Sequence, residues 1–178
     1  MDNNILRKTL LEKRLNLKSE EVALYSAAVT KAILKEETVK NAKTVMVYNS
    51  IKNEVDTEML KKELLKNGKT LVYPVIKNGE MYAAINLSNS EEERAFKIKE
   101  PSIYEIVFDV DVVIVPLVGC DKNLNRIGFG KGFYDRFLKD KKAYKIGVCY
   151  DFQVVDKITA NEWDVKLNKI ITPTKVIE

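Results

Sequence analysis

Apolar positions along the chain follow two periods. Between residues 4 and 16, Ile5, Leu6, Leu10 and Leu15 recur among basic residues at helical spacing. Ser19 then reads as an N-cap, with Glu20 and Glu21 suited to the first turn of a second helix. Val22, Tyr25, Val29, Ala32 and Ile33 would share one face of that helix, which ends near Glu37. The β-branched run 44–50, TVMVYNS, predicts a strand. A helix capped by Asp56 or Thr57 should run to Asn67 with Met59, Leu60 and Leu64 inward, and Gly68 should stop it. Residues 69–76 predict the next strand, Asn78-Gly79 a tight turn, and 81–87 the returning strand of a hairpin. Residues 88–107, with the acidic run Glu91 to Glu93 and the Glu100-Pro101 break, read as loop. The stretch 111–118, DVVIVPLV, is the most buried-looking strand. A glycine-rich loop and a helix from about Gly132 to Lys139 follow it. Strand 144–150, a short helix or turn at 152–158 and strand 168–172 complete the pattern.

Continuously apolar strands alternating with helices predict an α/β fold covered on both faces. The expected form is a three-layer sandwich with a mostly parallel central sheet, N-terminal helices and an edge hairpin. Neither a repeat nor a linker interrupts the 178 residues, so 1–178 is expected to be a single domain.

Composition narrows the chemistry. The chain has no histidine, which excludes Ser-His-Asp and Cys-His catalysis, His-ligated metals and a histidine pH switch. Cys120 and Cys149 both lie in apolar sequence and read as buried thiols of a reducing compartment. The net charge of +4 permits an anionic ligand without demanding nucleic acid. Only five of the thirty basic residues are arginine (Arg7, Arg14, Arg94, Arg126 and Arg136). A position that keeps arginine can therefore be one that needs its planar fork. The N-terminal residues lack the apolar core of a signal peptide, and Val112–Val118 is too short to span a bilayer. A cytoplasmic monomer acting on small molecules, with no membrane and no nucleic acid, is the expectation.

Four of the seven glycines fall within fourteen positions: Gly119, Gly128, Gly130 and Gly132. They follow the most buried strand and precede a helix, where open α/β sheets bind ligands. Such a loop exposes backbone N–H groups to an anion. Lys131 sits between two glycines, Arg126 and Arg136 flank the loop, and Asp135 follows it. The spacing matches neither GxxxxGK[ST] nor GxGxxG, and a tight strand-to-helix turn is the plainer alternative. Asn53-Glu54-Val55-Asp56-Thr57 lies at another strand end. Glu54 there could bind a heterocycle bearing N–H donors, or be exposed beside a helix cap. Asp164 could join Asp135 as a carboxylate pair for Mg²⁺, or close a turn; the lone Trp163 reads as packing.

The core VPLVGCDKNLNRIGFGKGFYDRFL resembles the 5-formyltetrahydrofolate cyclo-ligase family. The N-terminal LRKTLLEKRL, the stretch VYNSIKNEVDT and the tail IGVCYDFQVVDKI…WDVKLNKIITP extend the likeness over nearly the whole chain. The resemblance implies a reaction in which ATP and 5-formyltetrahydrofolate give 5,10-methenyltetrahydrofolate, ADP and phosphate, with Mg²⁺. The formyl oxygen would attack the γ-phosphate, and the folate N10 would close the ring of the resulting iminium phosphate. Carried over by position, ATP would meet Asn3, Arg7, Arg126, Gly128, Gly130, Lys131, Gly132, Phe133 and Tyr134. The folate would meet Asn49, Glu54, Phe129 and the stretch Gly130 to Phe133. Lys131, Arg126 and Tyr134 would be catalytic, and Asp135 and Asp164 would hold the metal. Family members often carry Tyr-Tyr where this chain has Phe133-Tyr134, and His where it has Trp163. A sugar-phosphate isomerase-like or other phosphate-binding α/β protein is the alternative enzyme class. A nucleotide-sensing or RNA-binding module is suggested only by the pI of 8.9 and lacks an aromatic-basic stripe.

Overall fold

The computed structural model describes residues 2–87 and 103–178. Most of the expected 88–107 loop, with Glu91 to Glu93 and Glu100-Pro101, lies outside the described residues. Helices α1 (Asn3–Leu15), α2 (Ser19–Ile33) and α3 (Glu37–Asn41) precede strand β1 (Thr44–Met46). Helix α4 (Glu58–Lys66) leads to β2 (Thr70–Lys77), β3 (Glu80–Asn86) and β4 (Tyr104–Val107). Strands β5 (Val112–Pro116), β6 (Gly119–Asp121) and β7 (Arg126–Ile127) precede α5 (Phe133–Leu138). The chain closes with β8 (Tyr144–Val148), a 3-10 turn at Asp151–Gln153, β9 (Val154–Val155), β10 (Lys169–Ile171) and β11 (Val176–Ile177).

Eight strands form one sheet in the order β11-β10-β8-β5-β1-β2-β3-β4. The run from β10 to β2 is parallel throughout, and antiparallel strands finish both edges. Alternate residues of each strand face opposite layers. Val45, Val112, Ile114 and Ile146 pack with Val29, Ile33, Val39, Leu60 and Leu64 of α2, α3 and α4. Met46, Val113, Val115 and Ile170 pack with Phe137 and Leu138 of α5. This is the expected three-layer arrangement with its edge hairpin, whose Asn78-Gly79 turn has both residues at positive φ.

The local departures have physical causes. The 44–50 strand ends at Met46, because the chain then closes on itself: Tyr48 Oη donates to the Val55 carbonyl at 2.7 Å and Thr57 Oγ1 to the Tyr48 carbonyl at 2.7 Å. Ser19 is the first helical residue of α2, and the Lys18 N–H before it donates to Glu21 at 2.9 Å. Met59 is exposed on α4, whose buried residues are Leu60, Lys61 and Leu64. The end of the expected loop is β4, an edge strand held by backbone pairing to β3 with little apolar signal of its own. On α1 the inward row is Leu6, Leu10 and Arg14, spaced four apart, while Ile5 and Leu15 face solvent.

That row seats α1 on a second, small sheet of order β7-β6-β9. The approach at Gly119 is close: a Cβ there would lie 2.6 Å from Leu10 Cδ1. Helix α1 thereby comes to lie across the carboxyl ends of the parallel strands.

Candidate active site

The parallel core runs β2-β1-β5-β8-β10 in space. Connections from β1 and β5 leave in opposite directions, which makes the β1/β5 boundary the switch point where such sheets open a crevice. The chain after β1 carries Glu54, and the chain after β5 leads through β6 and β7 into the glycine loop.

Past β1, Lys52 and Asn53 adopt left-handed backbone, with φ of 50° and 56°. Asn53 Nδ2 caps the end of α1 by donating to the carbonyls of Arg14, Leu15 and Leu17 at 3.1–3.3 Å. This turn sends Glu54 inward, where it is 5% exposed. Glu54 Oε2 accepts the Ile51 N–H at 3.0 Å, and Oε1 lies 3.8 Å from Arg14 Nη2. Burial pushes the Glu54 carboxyl above its ordinary range, against the pull of the Ile51 N–H, Arg14 and Lys52. Asn49 accepts from the buried Lys61 ammonium at 2.5 Å, which also meets Glu58 at 2.7 Å. Asp56 takes the capping role, accepting the Glu58 N–H at 2.8 Å.

The glycine loop is held from α1. Arg7 Nε donates to the Gly128 carbonyl at 2.7 Å, and the Arg7 guanidinium lies beside Gly130, whose φ is 91°. A Cβ at Gly130 would sit 3.6 Å from Arg7 Cζ in a strained backbone conformation. Asn3 Nδ2 donates to the Thr159 carbonyl at 2.8 Å and anchors the start of α1 near this loop. Arg136 donates to the Lys131 carbonyl at 3.0 Å and stacks over Phe133, 5.2 Å from the ring centroid. Lys131 itself is exposed, and its ammonium has no hydrogen bond or ion pair among the described residues. A cavity of about 330 Å³ opens here between Gly130, Lys131, Gly132, Asp135, Arg136, Lys139 and Trp163. Helix α5 has only six residues, so the three cations rather than a helix dipole supply its attraction for an anion. Trp163, expected to be packing, is 61% exposed and forms one wall. It is free of the core because it lies within the Asn161–Asp164 turn, closed by the Asp164 N–H donating to the Asn161 carbonyl at 3.2 Å.

Arg126 is buried and donates to the Val165 carbonyl at 2.6 Å and to Asp135 Oδ1 at 2.8 Å. The Val165 N–H donates to the same Asp135 oxygen at 3.1 Å. Asp164 Oδ2 accepts from the Asn161 backbone at 2.8 Å and its side chain at 3.3 Å. Asp135 Oδ2 and Asp164 Oδ1 take no hydrogen bond from the described residues. No group of three or more acidic or cysteine side chains clusters among the described residues. Each carboxylate thus keeps one oxygen open, and open carboxylate oxygens are the donors that suit Mg²⁺, which keeps most of its shell as water and phosphate oxygen.

The two strand ends approach one another through Phe129 and Tyr134 on one side and Lys52 and Glu54 on the other. Tyr134 is held protonated well beyond the neutral range by burial and by the charge of Glu54. Tyr48 is pushed up for the same reasons, with Glu54 and Tyr134 both beside it. Phe129 lies between two cations, 5.5 Å from Arg14 Cζ and 5.4 Å from Lys52 Nζ. Arg14 and Tyr48 are the site residues that sequence reasoning missed. The available signal was an arginine continuing the Leu6-Leu10 row in a lysine-rich chain. Cys120 and Cys149 are buried free thiols with sulfurs 3.6 Å apart, away from solvent as expected.

Residues 1–173 match the 5-formyltetrahydrofolate cyclo-ligase family. The chain is 36% identical to the 5-formyltetrahydrofolate cyclo-ligase of Mycoplasma pneumoniae, covering 96% of this chain and 98% of that one. It is also 36% identical to the Escherichia coli 5-formyltetrahydrofolate cyclo-ligase, over 77% of this chain and 81% of that one. Its fold is similar to the NMR structure of Aquifex aeolicus 5,10-methenyltetrahydrofolate synthetase. The TM-score is 0.85 at 36% identity, over 99% of this chain and 92% of that one.

Proposed function

The chain belongs to the 5-formyltetrahydrofolate cyclo-ligase family, and we propose that it converts 5-formyltetrahydrofolate to 5,10-methenyltetrahydrofolate at the expense of ATP, releasing ADP and phosphate. The observation that carries this is the convergence at the β1/β5 boundary. A cation-lined glycine loop, suited to phosphates, packs its Phe129 against Lys52 and Arg14 beside a buried carboxylate, Glu54, suited to a heterocycle with N–H donors.

ATP would lie along Arg7, Arg126 and the loop Gly128–Tyr134, with Asn3 at its margin. The pterin would be held by Glu54 and Asn49 and would stack on Phe129 or Phe133. The formyl oxygen attacks the γ-phosphorus and ADP departs. N10 then attacks the formyl carbon of the iminium phosphate, loses its proton and expels phosphate. Phosphoryl transfer of this kind needs positioning and charge neutralisation more than proton transfer. Lys131 and Arg126 supply fixed positive charge, and Tyr134 acts through its intact O–H as a hydrogen-bond partner. Asp135 and Asp164 would hold Mg²⁺, which when bound neutralises charge on the phosphates.

No helix among the described residues is long and apolar enough to cross a membrane. Action as a cytoplasmic monomer on small molecules, without nucleic acid, is part of the same proposal.

The test is the near-ultraviolet absorbance of the methenyl product on mixing protein, 5-formyltetrahydrofolate and MgATP. Product that requires ATP is expected. No absorbance change from folded protein, or binding of sugar phosphates without ATP, overturns the assignment.

A further inference from the structure

Arg14 is 1% exposed, an unusual place for a guanidinium. Its Nε donates to the Lys52 carbonyl at 3.0 Å and its Nη1 to the Leu117 carbonyl at 3.1 Å. One planar group on α1 therefore ties the loop after β1 to the chain leaving β5. Nη2 is buried, has no hydrogen-bond partner and lies 3.8 Å from Glu54 Oε1. The ring of Phe129 covers the same guanidinium. Buried polar groups are nearly always satisfied, so an open donor beside a buried carboxylate marks a place where function outweighs local stability.

We propose that Arg14 is a positioning residue for the folate half of the reaction: its fork sets the Glu54 carboxylate and the Phe129 ring in the arrangement that receives the pterin. This rests on the folate reading above. Arginine is required because three directions are used at once, to two carbonyls and one carboxylate, from a rigid plane. A lysine ammonium reaches the same volume but cannot hold both carbonyls while facing Glu54. The other titratable or charged groups around Glu54 are Lys52 in its own loop, Tyr48 after β1, Tyr134 on α5 and Tyr150 after β8. Lys52 is the one other cation among them, so loss of Arg14 leaves the carboxylate weakly compensated.

Arg14→Lys and Arg14→Gln, each checked by cooperative thermal melting, test this in the product-absorbance assay. The expected result is a KM for 5-formyltetrahydrofolate raised by about tenfold with the KM for ATP within about twofold. For Arg14→Gln the acid limb of kcat/KM for the folate should move to higher pH, because the carboxylate loses its nearest cation and takes up a proton more readily. In a Glu54→Gln background the same changes at Arg14 should have little further effect on folate KM, as expected for groups acting through one another. Equal rises in both KM values, an unmoved acid limb, or full additivity with Glu54→Gln overturns the proposal. Collapse of both variants assigns Arg14 to stability alone and overturns it as well. Failure of the wild-type protein to form product in the same assay instead removes the folate reading beneath it.

Discussion

Arg126→Met separates what keeps the glycine loop standing from what the loop does. The Arg126 side chain is 4% exposed and makes two short charge-assisted hydrogen bonds, to the Val165 carbonyl and to Asp135. Methionine preserves the apolar stem and removes both. Hydrogen bonds to charged groups contribute about 1.5–3 kcal/mol each, and an orphaned buried acceptor costs a similar amount. Asp135 is 24% exposed and keeps the Val165 N–H, so solvent recovers part of its share. A net loss of about 3 kcal/mol follows, which for a domain of this size corresponds to a melting temperature about 6–12 °C lower. Lys131→Ala is the contrast. Its side chain is exposed and its ammonium has no partner among the described residues, so stability should change by no more than about 0.5 kcal/mol. Its turnover should nevertheless fall by about a hundredfold, the loss typical of a fixed charge at a transferring group. Thermal unfolding followed by circular dichroism and product absorbance on the same preparations read both quantities. An Arg126→Met protein melting with the parent refutes the hydrogen-bond reasoning. A Lys131→Ala protein with full turnover removes Lys131 from the site.

Trp163 is the chain's only tryptophan and lines the cavity beside Lys131; nucleotide should quench its emission, and a spectrum unchanged through enzyme saturation would place the nucleotide elsewhere. Gly147→Ala puts a methyl group into Leu167 and within 3.0 Å of Leu117 in the middle of β8. Such overpacking costs about 1–3 kcal/mol, and an unshifted urea midpoint would show that the side chains give way freely. Asp111 accepts the N–H groups of Thr44 and Lys43, at 2.9 and 2.7 Å, and these bonds hold its carboxyl below the ordinary aspartate range. Its folded value is therefore the lower one, so its contribution is complete above the unfolded value and disappears as pH falls through the folded value. Asp111→Asn should flatten that part of the acid limb of stability, and a parent-to-variant difference constant down to low pH would contradict it.

What could be read from the sequence was whatever repeated often enough to leave a period. The long apolar strands around Val112–Val118 and 144–150 and the Asn78-Gly79 turn announced a parallel core with a hairpin. Strands β6, β7, β9 and β11 are two or three residues long and leave no period, yet β6 and β7 carry the chain from β5 to the glycine loop. Strand β4 is specified by its partner β3 rather than by its own side chains. The glycine alternation and the place of Glu54 after a strand were legible because position relative to a sheet already implies a crevice. Arg14 was hidden because an arginine on a basic amphipathic helix looks solvated until the helix is docked. Trp163 erred in the opposite direction: a lone tryptophan suggests core, while here it walls the cavity beside Lys131.

The absence of histidine decides what kind of chemistry this cleft can offer. Burial holds the hydroxyls of Tyr48 and Tyr134 in their protonated forms, and hydrogen bonding with Cys120 together with burial does the same for the Cys149 thiol. None of these can exchange a proton with substrate near neutrality. Burial pushes the Glu54 carboxyl upward as well, and Glu54 is the buried acid beside them. The remaining charges are fixed cations: Arg7 of α1 against the glycine loop, Lys131 within it, and Arg136 and Lys139 on the cavity wall. Such a set cannot run catalysis by proton relay, but it can align two reactants and stabilise negative charge as it moves between oxygens. A reaction whose nucleophiles are the substrate's own formyl oxygen and N10 needs nothing more from the protein. The composition that excludes imidazole chemistry therefore agrees with the geometry, in which Arg14, Glu54 and Arg126 are buried and held by neighbours and Lys131 is exposed with no partner among the described residues.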